Sequence, residues 1–145
     1  MKERIKNTIL IAEDSKVALM NLMQILRNEY EIIIANNGVS AVEMAKAHKP
    51  DLILLDIIMP EMDGYETLII LKESEETEEI PVICITSMDG VADEERGLEL
   101  GAADYITKPF SQVIVKLRVR LQLRMRNQMK TIISQMKTIE KLRKG

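Results

Sequence analysis

The hydrophobic positions along the chain fall into short continuous runs separated by longer periodic stretches. Four runs rich in β-branched residues precede position 90: TILIAED (8–14), EIIIAN (31–36), DLILLD (51–56) and PVICITS (81–87). A fifth and weaker one, DYITKP, covers 104–109. Continuity, rather than alternation of apolar and polar residues, suits strands covered on both faces, as in parallel sheets flanked by helices. Helical spacing fills the intervals. Val17, Met20, Leu22, Met23 and Leu26 predict a helix over about 15–28, and Val39, Val42, Met44 and Ala45 one over 38–48. Tyr65, Leu68, Ile69 and Leu71 predict a third over 64–73, and Ala92, Leu98 and Leu100 a fourth over roughly 90–100. Pro50-Asp51 and Ile80-Pro81 restart strands, Asn36-Asn37-Gly38 makes a turn, and Gly101 is placed to close the fourth helix. A five-fold strand–helix series with right-handed crossovers gives an α/β doubly wound parallel sheet, with sites at the carboxyl ends of its strands.

Residues 111–145 are harder to read. Between Val113 and Met125 apolar residues alternate with polar ones, broken only by Ile114, which by itself is a strand pattern. A helix is nevertheless predicted, because the fifth strand needs a cover and Lys, Arg, Leu, Met and Gln all favour that conformation. On it, Val113, Leu117 and Leu121 form one stripe while Val115, Val119 and Leu123 lie nearly opposite. One stripe is expected to cover the sheet and the other to meet a second protomer. Met125, Met129, Ile132, Met136 and Ile139 continue at spacings of three and four, as in a coiled-coil seam, although the steps of four from Leu117 to Met129 break a strict heptad. The expected organisation is a domain over 7–124, a helical extension over 125–145, and a parallel homodimer through that helix.

Charge sharpens this division. Residues 1–110 hold 10 Lys/Arg against 22 Asp/Glu, whereas 111–145 hold 10 against Glu140 alone, so the two parts carry net charges of −12 and +9. A basic tail can bind nucleic acid, but this one has no aromatic residue for base stacking and no second helix for a helix-turn-helix, so a nucleic-acid role is disfavoured. No apolar run reaches the roughly 20 residues needed to span a bilayer, and the N-terminus MKERIKNTILIAED places acidic residues where a signal peptide needs apolar ones. A cytoplasmic protein without membrane contact is expected. The single cysteine, Cys84, sits in an apolar run and is expected to be a small core side chain.

The chemistry converges on one sheet edge. The first strand ends in Glu13-Asp14, the third in Asp56, the fourth in Thr86 and the fifth in Lys108. Taken singly, each has an ordinary explanation: acids after strands cap helices, a strand threonine bonds to backbone, a lysine is solvated. Placement at four strand ends together is what argues for a site. Three close carboxylates raise one another's pKa unless a cation neutralises them. A hard divalent ion, Mg²⁺ or Mn²⁺, suits oxygen ligands and phosphate. With Lys108 such an ion balances the three carboxylates, leaving Asp56 able to act as a nucleophile towards phosphorus. An enzyme on the same fold is disfavoured, since AEDSKVA lacks a phosphate-cradling glycine loop and no second aspartate stands two residues after Asp56.

These residues carry a resemblance over roughly 7–124. Glu13-Asp14, Asp56-Ile57-Ile58-Met59-Pro60 with Met62-Asp63-Gly64, Thr86-Ser87 and Lys108-Pro109-Phe110 resemble the receiver domains of bacterial two-component response regulators. The resemblance implies a flavodoxin-like sheet of order 2-1-3-4-5 and phosphorylation of Asp56 by a sensor histidine kinase or phosphotransfer protein that meets helix one. It further implies Asp14, Asp56 and the Ile58 carbonyl as direct metal ligands, with Glu13 acting through water. Thr86 and Lys108 would hold phosphoryl oxygens, Tyr105 would be the switch aromatic, and Lys108-Pro109 would be cis. Glu13 departs from the Asp-Asp pair also frequent in the family. Ile58 and Met88 stand at the two positions that tune phosphate lifetime, and neither can hydrogen-bond an attacking water, so slow self-dephosphorylation is expected. The long helix resembles the linker that joins receivers to an output domain. A receiver-like binding module that is not phosphorylated is the alternative, disfavoured by the intact polar set.

Overall fold

The computed structural model describes residues 6–59, 61–87 and 90–144. Five strands alternate with five helices: β1 (Thr8–Ala12), α1 (Lys16–Leu26), β2 (Glu31–Ala35), α2 (Gly38–His48), β3 (Leu52–Asp56), α3 (Gly64–Glu73), β4 (Val82–Thr86), α4 (Val91–Glu99), β5 (Asp104–Thr107) and α5 (Gln112–Lys144). Each of the first three helices starts at a polar residue whose side chain accepts a backbone N–H of the opening turn, Ser15 from Ala18, Asn37 from Ser40 and Asp63 from Glu66. α4 has no such cap and ends as expected, with Gly101 at φ 108°, a left-handed conformation that costs glycine little.

All strand pairs are parallel, in the order β2-β1-β3-β4-β5, so both connections around β1 are crossovers and the chain winds to both faces of the sheet. Strand side chains alternate between two cores. Leu10, Ile53, Leu55, Val82 and Cys84 meet Leu68 and Leu71 of α3 and Ala41 and Ala45 of α2. On the other face Ile9, Ile11, Leu52, Leu54, Ile83 and Ile85 meet Leu22 and Leu26 of α1 and Val115, Val119 and Leu123 of α5. The continuous runs in β3 and β4 thus reflect burial on both sides. Cys84 lies in this core as a free thiol, pushed up to about 12 by burial.

Three helices bury a different set from the one their spacing suggests. α1 turns Ala18, Leu22 and Leu26 inward while Val17 and Met20 are exposed, α2 buries Gly38, Ala41 and Ala45 while Val39 is exposed, and α4 buries only Gly97 while Val91 and Leu98 are exposed. Apolar residues outside the core are common, and periodicity alone does not separate them from core positions.

The alternating segment is helical throughout, because the sheet accepts one residue per turn: Val115, Val119 and Leu123 are buried, while Val113, Leu117 and Leu121 are 73%, 46% and 42% exposed. The helix continues past the domain without a break. Arg126 anchors it, donating Nη1 to the Pro50 carbonyl at 3.3 Å and to Asp51 Oδ1 at 3.2 Å, while Asp51 Oδ2 accepts the Thr8 N–H at 2.8 Å. From 127 to 144 every residue is exposed. No helix among the described residues is long and apolar enough to cross a membrane.

The two stripes of α5 predict opposite outcomes. Leu123→Ala should lower the free energy of urea unfolding by about 2–5 kcal/mol, whereas Leu117→Ala, measured in dilute protein, should change it by no more than about 0.5 kcal/mol. Equal losses would mean that the helix face covering the sheet is wrongly assigned.

Candidate functional site

Parallel strands bring their carboxyl ends to one edge, and there the sequence places its polar residues. Glu13 and Asp14 follow β1, Asp56 closes β3, Thr86 closes β4 and Lys108 follows β5. Backbone bonds fix the approach of each: Glu13 N–H donates to the Ala35 carbonyl at 3.0 Å and Lys108 N–H to the Thr86 carbonyl at 2.8 Å. Glu13, Asp14 and Asp56 each present an oxygen within 4.8 Å of the others. Lys108 Nζ lies 3.0 Å from Asp56 Oδ2 and 3.2 Å from Glu13 Oε2. Asp56 Oδ1 accepts the Ile58 N–H at 2.9 Å. The cluster lines a cleft of about 240 Å³, shared with Ser15, Ile58, Ile85 and Ser87.

The electrostatics are uneven. Glu13 is buried and its carboxyl is pushed up to about 7, first by burial and then by hydrogen bonding and repulsion from Asp56; the Ser15 N–H and Lys108 only partly offset this. Burial pulls the Lys108 ammonium down, but Asp56 and Glu13 outweigh it and hold its pKa above the usual lysine value. Glu13 Oε1 accepts the Ser15 N–H at 3.0 Å, whereas Oε2, though within ion-pair range of Lys108, makes no hydrogen bond among the described residues. A buried carboxylate oxygen in this condition is costly. Asp14 is exposed, so the cluster opens to solvent on its side. A partly orphaned acid, a second buried acid and a third at the mouth form a donor set that fits a hard divalent cation keeping several waters.

Thr86 is buried and donates its hydroxyl to the Ile106 carbonyl at 3.4 Å, so it is turned towards β5 rather than engaged with Asp56. Tyr105 is half-buried, with the Arg118 guanidinium 5.2 Å from its ring centroid; Arg118 also bonds Asp104 Oδ1 at 2.6 Å. Ile58 is exposed at the cleft mouth, Met88 and Pro60 lie outside the described residues, and the Lys108-Pro109 peptide is cis.

The supporting roles of three residues, Ser15, Arg118 and the motif glycine Gly64, escaped the sequence reading. Ser15 both caps α1 and bonds Glu13 through its N–H, which a serine between an acidic pair and a helical stretch could have signalled. Gly64 presses its Cα on the acceptor loop, where a Cβ would collide with Ile57 Cα and the Asp56 carbonyl, and its N–H bonds the Ile57 carbonyl at 3.0 Å. Arg118 had no signal beyond its charge.

Known proteins share this architecture. The family profile described as the response regulator receiver domain matches residues 9–120. A histidine kinase of Formosa agariphila is 39% identical over 137 residues, covering 94% of this chain and 10% of that protein. A probable cyclic di-GMP phosphodiesterase of Vibrio cholerae is 39% identical over 135 residues, covering 93% of this chain and 31% of that protein. The chain thus spans less than a third of these two curated relatives. Among solved structures, the receiver domain of a Pseudomonas aeruginosa sensor histidine kinase, with a magnesium ion coordinated in its active site cleft, superposes with a TM-score of 0.76 at 28% identity, covering 82% of this chain and 98% of that one. With strand order, acidic cluster and profile in agreement, the chain belongs to the response regulator receiver domain family of two-component signalling.

Proposed function

We propose that Asp56 accepts a phosphoryl group from the phosphohistidine of a sensor kinase or phosphotransfer protein, and that the acylphosphate switches a surface built from α4, β5 and α5. The carrying observation is the Asp56 carboxylate itself. It is 4% exposed, oriented through Oδ1 by the Ile58 N–H and through Oδ2 by Lys108, inside a cluster of three acids. An Asp56 oxygen attacks phosphorus as the phosphorus–nitrogen bond breaks and its electron pair stays on the donor imidazole. Lys108 then exchanges its carboxylate partner for a phosphoryl oxygen, and Thr86 leaves the Ile106 carbonyl to donate to another. That movement frees space towards Tyr105, which biases a population between two packings.

Asp14, Asp56 and the Ile58 carbonyl would hold Mg²⁺ or Mn²⁺ directly, with Glu13 acting through water. When bound, the ion supplies positive charge to the phosphoryl oxygens. The solved Pseudomonas aeruginosa receiver with magnesium supports this reading. We assign residues 7–124 to a cytoplasmic receiver and 125–145 to a linker towards an output domain, in keeping with the greater length of the relatives.

The exposed side of α5 supports a parallel homodimer. Leu117, Leu121, Met125, Met129, Ile132, Met136 and Ile139 form one exposed apolar stripe, whose last five members follow steps of four and three. Lys130, Lys137, Lys141 and Lys144 fall off that seam, whereas Arg143, four residues after Ile139, lies on its far end.

Three outcomes test the reading. With acetyl phosphate and Mg²⁺ the chain should gain one phosphoryl group by intact mass, and Asp56→Asn should gain none; retention of the modification in that variant contradicts the assignment. For pH, the buried Glu13 carboxyl is raised from 4.5 to about 7. Between those values the metal-free native state holds a proton that the unfolded chain has lost, so this group's contribution to stability declines as pH rises, and a cation must displace the proton. The Mg²⁺-induced rise in melting temperature should therefore be larger near pH 8 than near pH 5.5; a rise independent of pH would remove Glu13 from the site. Finally, sedimentation should give a dimer for the whole chain and a monomer for one ending at Arg124, and equal masses would refute the seam.

A further inference from the structure

α4 is the helix least secured by apolar burial. Of its nine residues only Gly97 is buried, resting where a Cβ would lie 3.4 Å from Cys84 Sγ, and it begins at Gly90 without a side-chain cap. Among the described residues its side-chain links to α3 are polar and centre on one residue, Tyr65. The Tyr65 hydroxyl donates to Asp93 Oδ1 at 2.5 Å, the range of hydrogen bonds to a charged acceptor. One turn further along α4, the Arg96 guanidinium carbon sits 4.2 Å from the centroid of the same ring, well within cation–π distance. Asp93 and Arg96, three apart on the helix, thus grip Tyr65 from its edge and its face. Tyr65 is itself buried, and its hydroxyl is shifted strongly upward by burial and by Asp93, so it remains a donor at any physiological pH.

The position of this contact in the chain gives it a consequence. Tyr65 directly follows Gly64, whose backbone is pressed on Asp56 and Ile57 of the acceptor loop. At the other end, α4 follows Thr86 and Ser87 closely: the Gly90 N–H bonds the Ser87 carbonyl at 3.1 Å, and a Cβ on Gly90 would lie 3.4 Å from Thr86 Cβ. The Tyr65 contact therefore bridges the loop after β3 to the helix after β4, across the site. In this arrangement the Thr86 hydroxyl is given to Ile106 and Lys108 is paired with Asp56 and Glu13, which is the resting disposition of the groups. Through the contact at Gly90, a movement of Thr86 towards Asp56 would act on the start of α4 and so on the grip on Tyr65.

We infer that Tyr65, held by Asp93 and Arg96, is a latch that keeps α4 in its resting position and sets how readily the Asp56 site takes up a phosphoryl group. Tyr65 touches neither the cleft nor its acids, so it is a positioning residue. The inference rests on the switch reading above for its functional part, while the latch itself is a property of the resting protein. If the grip is made in the resting arrangement alone, weakening it shifts the equilibrium towards the other.

Two measurements on the full chain judge this. The first is amide hydrogen exchange without phosphodonor. Tyr65→Phe keeps the ring under Arg96 but removes the donor, and it should speed exchange across 91–99 by about fivefold or more, leaving β1, β3 and α5 unchanged. The second is binding of beryllofluoride with Mg²⁺, which should tighten by a similar factor in Tyr65→Phe and in Asp93→Ala. The double variant should gain nothing beyond either, because one contact cannot be lost twice. Asp93→Asn, which keeps an acceptor but loses the charge, should fall between wild type and Asp93→Ala. Unchanged exchange in α4, or additive effects of the two substitutions, would overturn the latch. Failure of the wild-type chain to bind beryllofluoride would instead sink the switch reading, with the exchange result still deciding the latch.

Discussion

Two carboxylates buried side by side, Glu13 and Asp56, are the constraint around which the molecule is arranged. Taking like charges out of water is expensive, and the protein offsets the cost with Lys108, the Ile58 and Ser15 amides, and an opening at Asp14 through which a cation can enter. The arrangement is only partly satisfied, as the lone Glu13 oxygen and the raised Glu13 carboxyl record. That residual strain is useful, because a site already short of positive charge gives a divalent ion something to bind. With a divalent ion bound, the formal charges of the three acids, Lys108 and the ion would sum to zero, and an incoming phosphoryl anion would not meet bare acids.

The fold supplies the precision. Parallel pairing delivers the ends of β1, β3, β4 and β5 to one edge in register, Asp56 standing opposite Ile85 and Thr86 opposite Thr107. Both faces are sealed by separate apolar cores that hold the strands carrying the site, while α4 on one flank buries only Gly97. α4 is tied down chiefly by glycine contact and by polar links to Tyr65, and Tyr105 is bracketed by Arg118. A rigid sheet with a loosely held flank is the combination a switch requires: the chemistry keeps its geometry while packing elsewhere changes.

Most of this was legible in the chain because burial on two faces writes itself as continuous apolar runs. The strands, their punctuation, and the acids, threonine and lysine at their ends followed from that one signal together with the motif spacing. Orientation of helix faces was less legible. Val17 and Met20 satisfy a helical period yet point to water, since α1 is oriented by small Ala18 and by Leu22 and Leu26, and a period cannot say which of two overlapping stripes the sheet accepts. In α5 the alternating pattern is ambiguous until the sheet is present to bury every fourth residue. The polar partnerships of Asp51, Arg118 and Tyr65 could not be read, because their meaning depends on residues distant in sequence, such as Arg126 for Asp51 and Asp93 for Tyr65.

The central claim, that a buried pair of acids with Asp14 forms a metal-dependent acceptor, is tested most directly by locating the ion. Crystals soaked in Mn²⁺ and measured for anomalous scattering should place one strong peak in the cleft, about 2.0–2.2 Å from carboxylate oxygens of Asp14 and Asp56 and close to the Ile58 carbonyl. A cleft without a peak at saturating Mn²⁺, or an ion held by other residues while Asp14 and Asp56 remain uncoordinated, would contradict it.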